Sequence, residues 1–196
     1  MTVGPQAPRR QTMRAVVQRH YGDADVLHME ELDLPTIGNG EVLVRVHAAG
    51  LDRGTWHMMA GKPYLIRLTG LRAPKNLVAG FDVAGAVAAV GADVTRFEVG
   101  DEVLGISQGS YADYARARAD KLVHKPANLS FDQAAVVTVS GLAALRALCD
   151  VGRVNTGQHV LIVGASGGVG TFAIQIAKAS GAQVTAVCST TKIDLV

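Results

Sequence analysis

One stretch limits what this chain can fold into more than any other. Residues 159–189 read HVLIVGASGGVGTFAIQIAKASGAQVTAVCS. The apolar run from His159 to Val163 is long enough for a buried strand, and seven residues follow it: Gly164, Ala165, Ser166, Gly167, Gly168, Val169 and Gly170. A helical stretch comes next, with Phe172, Ile174, Ile176 and Ala177 available for burial. After a break at Ser180-Gly181, a second β-branched run covers Val184 to Val187. The order strand, glycine turn, helix, strand predicts one βαβ unit of the kind that opens a dinucleotide-binding fold.

In such a unit the glycines have separate tasks. A turn that reverses the chain within a few residues favours positive φ, which glycine adopts without a Cβ penalty. A middle glycine lets the backbone approach a pyrophosphate, and Gly170 lets the helix pack closely on the strand. The helix N-terminus then offers free N–H groups and the positive end of its dipole to phosphates. The pattern G-x-G-x-x-G reads Ala165-x-Gly167-x-x-Gly170 here, with alanine in the first place. Its strand–turn–helix–strand setting points to nucleotide binding through Gly164, Ala165, Ser166, Gly167, Gly168, Val169 and Gly170.

Residues 154–177 contain no Asp, Glu, Lys or Arg, a span long enough to cross a bilayer. The central glycine turn would spoil a helix through it, so the βαβ reading prevails and no membrane span is expected. The net charge of +2 gives no electrostatic case for a nucleic-acid or anionic-membrane partner. The only cysteines, Cys149 and Cys188, have no paired spacing, which excludes a disulfide scaffold and a cysteine zinc lobe. The N-terminal MTVGPQAPRRQT lacks the apolar segment of a secretory signal. It is expected to be a disordered leader over 1–12, and the chain is expected to be cytoplasmic.

Upstream, residues 13–128 read as β-rich. Strands are expected at Met13 to Gln18, Val26 to Leu34, Glu41 to His47, Ala84 to Val90, after Gly100, and at Tyr111 to Ala117. Short strands with frequent glycine turns predict a partly open barrel. Asp52 is placed to cap a short helix through Ala60, ended by Gly61-Lys62-Pro63. Ser130 with Gln133 three residues on has capping-box spacing. Two helices follow, Ala134 to Val139 and Leu142 to Cys149, interrupted near Ser140-Gly141. Residues 129–196 would then carry the βαβ unit.

Four motifs in this order resemble the medium-chain dehydrogenase/reductase superfamily, in its zinc-independent quinone oxidoreductase-like branch. They are Val42-x-Val44-x-Val46-x-Ala48-Ala49-Gly50; Gly80-Phe81-Asp82-Val83-Ala84-Gly85; Val94-x-x-Phe97-x-x-Gly100-Asp101-Glu102-Val103; and Gly164 through Gly170. The resemblance implies an α/β plus β fold: a GroES-like β-rich catalytic domain over 13–128, then the first βαβ unit of a Rossmann NADP-binding domain over 129–196. It also implies an active site in the cleft between them and a homodimer. Zinc-dependent relatives place a cysteine ligand just after the strand ending at Gly50, where this chain has Leu51 and Asp52. Their Gly-His-Glu motif reads Gly80-Phe81-Asp82. A catalytic zinc needs three protein ligands, so no metal is expected.

The end of the second strand bears on the cofactor. An NAD-preferring site puts Asp or Glu there for the ribose hydroxyl. This chain has Cys188, Ser189, Thr190, Thr191 and Lys192, with no acid before Asp194. Hydroxyls and cations suit a 2′-phosphate, so NADPH is expected, held by Ser189, Thr190 and Lys178, which resembles the family's phosphate-binding lysine. The family's Asn-x-x-Asp segment reads Asp52-Arg53-Gly54-Thr55, a double departure. Trp56 and Tyr64 are candidates to line a flat acceptor pocket, with Tyr64 also a possible proton donor, and no catalytic acid is assigned.

The resemblance thus implies a zinc-independent, NADPH-dependent oxidoreductase passing hydride to a quinone, enone or related carbonyl acceptor. Two alternatives remain open: a non-catalytic remnant that binds nucleotide weakly or serves as an interaction module, and an alcohol dehydrogenase. Only two of six Rossmann strands are legible. The expectation is a C-terminally truncated chain whose exposed strands would invite aggregation.

Overall fold

The computed structural model describes residues 11–196, the side chain of Thr69 apart. Most of the expected leader therefore lies outside the described residues. Within the described residues, pairing already starts before Met13: the Gln11 carbonyl accepts from Leu34 N–H, and Thr12 opens the first strand.

Strands β1 (Thr12–Gln18) and β2 (Leu27–Asp33) form an antiparallel hairpin. Strand β3 (Glu41–Ala49) is followed by helix α1 (Arg53–Ala60) and, after a long segment, by β4 (Asp82–Val90), β5 (Glu102–Ile106), β6 (Tyr114–Arg118) and β7 (Leu122–His124). These five strands form one antiparallel sheet in the order β6-β3-β4-β5-β7. Isolated bridges at Ala15↔Ala112 and Val17↔Val78 tie the hairpin to the segments just before β6 and β4. Inward positions at period two build the barrel core: Val42, Val44, Val83, Val87, Val103, Ala115, Ala117 and Leu122, closed at one end by Phe97. The three-residue β7 is an addition to the expected strands.

Helix α1 forms where its local signals place it. Asp52 accepts from the Thr55 N–H at 3.0 Å, and Gly61 ends the helix at φ 61°. The capping box at α2 (Phe131–Ala134) is complete, with Ser130 and Gln133 each bonded to the other's backbone.

The next helix corrects the expected break. Helix α3 (Thr138–Leu145) runs through Ser140 and Gly141 without interruption and widens into a π-type turn over Arg146–Val151. The interruption falls instead between α2 and α3. Gly141 lies buried against Phe172, so it is a packing position rather than a breaker.

Strand β8 (His159–Val163), helix α4 (Gly168–Ala179) and parallel strand β9 (Gln183–Val187) form the βαβ unit. Its core joins Ile162, Ala165, Ala173, Ile174 and Ala177 to Ala144 and Leu148 of the preceding helical segment. The expected buried strand is buried on one face only: Leu161 is 65% exposed and Val163 75%. Helices α3 and α4 cover the Ile162 side, and among the described residues nothing covers the other. After β9 a 3₁₀ turn spans Thr190–Leu195.

Candidate functional site

The glycine loop divides its tasks differently from the sequence pattern. The positive φ belongs to Gly164, at 79°, one residue before the place where the pattern puts its first glycine. Ala165 is fully buried among Ala173, Ile174 and Ala177, a role in which a methyl group helps. Gly167 caps α4 and brings no side chain to its first-turn amides, which stay available to an anion. At Gly170 a Cβ would lie 2.4 Å from the Gly164 carbonyl oxygen and 2.7 Å from Ala165 Cα, so only glycine fits this crossing of helix and strand.

The end of β9 is fastened to this loop. The Val187 carbonyl accepts from both Gly164 N–H and Ala165 N–H, each at 3.0 Å. Ser189 and Thr190, two and three residues further on, therefore start from the glycine turn. Lys178 does not join them. It is exposed in the last turn of α4, ten residues beyond Gly168, or roughly 15 Å along the helix axis. The cation that follows the hydroxyls is Lys192, within the 3₁₀ turn.

Facing the loop is the entrance of α1. A cleft of about 440 Å³ is walled by Leu51–Gly54 on the barrel side, by Val139 and Ser140 of α3, and by the glycine loop. The segment that departs from Asn-x-x-Asp forms the N-cap of α1. Asp52 accepts from the Thr55 N–H, and its second oxygen from the Thr55 hydroxyl at 2.7 Å. Arg53, on the cleft wall, stacks over Trp56 at 4.3 Å. Sequence reasoning noted Arg53 only as part of a departure, because its place opposite the loop depends on how barrel and βαβ unit meet.

Behind this wall sits Asp82, 1% exposed. Its carboxylate accepts from the Val139 N–H at 2.9 Å, so a barrel residue holds the first turn of α3, a helix without a side-chain cap of its own. Burial pushes the Asp82 carboxyl up to about 6; nearby Asp52 adds to the rise, and the Val139 hydrogen bond opposes it. Tyr111 donates to the Gly50 carbonyl at 3.1 Å, and burial raises its phenol above the ordinary value.

Trp56 and Tyr64 do not build a pocket together. Tyr64 is 73% exposed, with Arg67 over its ring at 5.1 Å. Near α1 there is instead a partly open, mostly apolar cavity of about 150 Å³ beside Thr55, Met58 and Met59. His57 Nδ1 lies 2.7 Å from the Lys62 carbonyl, and His47 stacks on Phe131 at 4.3 Å. Among the described residues no three His, Cys, Asp or Glu side chains gather as a metal site would need. No helix there is long and apolar enough to cross a membrane.

Residues 38–127 match the family model "Alcohol dehydrogenase GroES-like domain". The chain is 38% identical over 210 residues to the human NAD(P)H oxidoreductase RTN4IP1, mitochondrial, covering 97% of this chain and 52% of that protein. It is 36% identical over 197 residues to the chloroplastic quinone-oxidoreductase QR1 of Triphysaria versicolor, covering 94% and 58%. Among solved structures, the quinone oxidoreductase from Coxiella burnetii superposes with a TM-score of 0.87 at 32% identity, covering 94% of this chain and 59% of that one. A mycobacterial protein solved in complex with NADPH gives 0.81 at 29% identity, covering 93% and 54%. The chain thus spans about half the length of the relatives it matches.

Proposed function

The chain is a quinone oxidoreductase-like member of the medium-chain dehydrogenase/reductase superfamily, and from that premise we propose that its cleft binds NADPH and serves zinc-independent hydride transfer to a quinone, enone or related carbonyl. The observation that carries this reading is the cleft itself, in which a glycine loop with free helix amides faces the entrance of α1. Bound there, the nicotinamide would supply the hydride.

The residues in hand account for binding and orientation. The α4 amides hold the pyrophosphate through the helix dipole, and Gly170 keeps the loop close enough to reach it. Arg53 brings positive charge to the opposite wall. Ser189, Thr190, Thr191 and Lys192 follow β9 without an acid, which favours a 2′-phosphate over a bare ribose. Zinc independence rests on the donor set: where zinc-dependent relatives carry cysteine and histidine, this chain has Leu51, Asp52 and Phe81. Two free thiols, Cys149 and Cys188, suit a reducing compartment, which we take to be the cytosol.

Titration of the 196-residue chain with NADPH and with NADH tests the cofactor reading. The expected result is tighter binding of NADPH, with the preference reduced in Lys192→Glu. Equal or tighter binding of NADH would overturn it. For the whole protein, loss of NADPH absorbance on adding a small quinone is expected, and it should persist after treatment with a zinc chelator.

A further inference from the structure

Between Asp52 and Asp82 the sequence holds no acidic residue, yet it carries Arg53, Lys62, Arg67, Arg72 and Lys75. Arg67 is used internally: it donates to the Gly61 carbonyl at 3.0 Å and stacks over Tyr21 and Tyr64. Lys62, Arg72 and Lys75 are exposed, and none has an ion-pair partner among the described residues. The same segment exposes Leu65, Leu68 and Leu71, each by about three quarters of its surface. A segment that exposes apolar and cationic side chains and carries no carboxylate is complementary to a ligand that is apolar and anionic.

This segment also supplies most of the lining of the cavity of about 150 Å³, including Thr55, Met58, Met59, Lys75, Val78 and Phe81. An apolar cavity of such a size accommodates a benzene-sized body. Methionines in the wall let it adapt to different shapes. Thr55 joins the cavity to the cofactor cleft: it is 4% exposed, and its hydroxyl donates to Asp52, which lines that cleft. One turn of α1 therefore separates the two spaces.

We propose that this cavity is a binding site for amphiphilic anions, with the apolar ring or chain inside and a carboxylate, sulfonate or phosphate paired with Lys75.

Trp56, the only tryptophan, neighbours Thr55 in α1 and reports binding without turnover. Quenching of its fluorescence by benzoquinone and by benzoquinone sulfonate gives the two affinities. At low ionic strength the sulfonate is expected to bind roughly fivefold more tightly, as for one partly exposed ion pair. That gap should close in Lys75→Glu and at high salt, with neutral quinone binding unchanged. Met58→Phe, which fills the cavity, should weaken both ligands. Equal affinities in the unaltered chain, a gap that survives Lys75→Glu, or indifference to Met58→Phe would each overturn the proposal. The expected pattern without hydride transfer in the whole protein would leave the anion site standing and remove the reductase reading alone.

Discussion

Asp82 shows how one side chain can serve two parts of the fold at a cost. It sits in the barrel, holds the first turn of α3 and is almost fully buried. With its carboxyl pushed up to about 6, the folded protein keeps a proton that the unfolded chain releases near pH 4. Its contribution to stability is therefore greatest in acid, declines as pH rises and levels off above about 6. Asp82→Asn keeps an acceptor for Val139 and removes the titration. Relative to the unaltered protein, the variant should gain a few degrees of melting temperature between about pH 4 and pH 7. Parallel melting curves across that range would contradict the assignment. The glycine loop offers a second comparison at this scale. Gly170→Ala forces a methyl against backbone and should cost roughly 1–3 kcal/mol in urea denaturation. At Gly168 the Cβ would meet only the Ser140 hydroxyl, at 2.8 Å, and that side chain can turn away. Gly168→Ala should stay within about 0.5 kcal/mol.

At the scale of elements, what the sequence made legible depended on how local the causes are. Helix α1 has its cap and its left-handed terminator within ten residues, and both Asp52 and Gly61 could be read directly. Asp52→Ala should destabilise by about 1 kcal/mol, and Asp52→Asn by much less, as thermal unfolding would show. The start of α3 depends on Asp82, 57 residues away in sequence, which is why the helix break was expected at Ser140-Gly141 instead. Strand β8 was legible as a strand, but its burial was not, because burial depends on what lies across its second face. Leu161→Thr introduces, and Val163→Thr keeps, a β-branched residue on that exposed face. They should leave stability within about 0.5 kcal/mol while slowing aggregation measured by light scattering.

At the scale of the molecule, the candidate site belongs to neither part alone. The loop of the βαβ unit, the start of α1 and the start of α3 meet in one cleft, and the Asp82 bond ties barrel to helix behind it. The glycine loop could be found from spacing because its chemistry is contiguous. Arg53, Asp82 and the cavity beside Met58 and Met59 could not, since three separate stretches must fold before they face anything. Lys178 illustrates the converse, a residue chosen by motif whose helix carries it away from the loop.

The measurement that tests this arrangement most directly is hydrogen exchange of the 196-residue chain with and without NADPH. Slower exchange is expected together in residues 164–170, 189–192 and 52–55, because one ligand would touch all three. Protection of the glycine loop alone, or of none of the three segments, would contradict a cofactor cleft shared between barrel and βαβ unit.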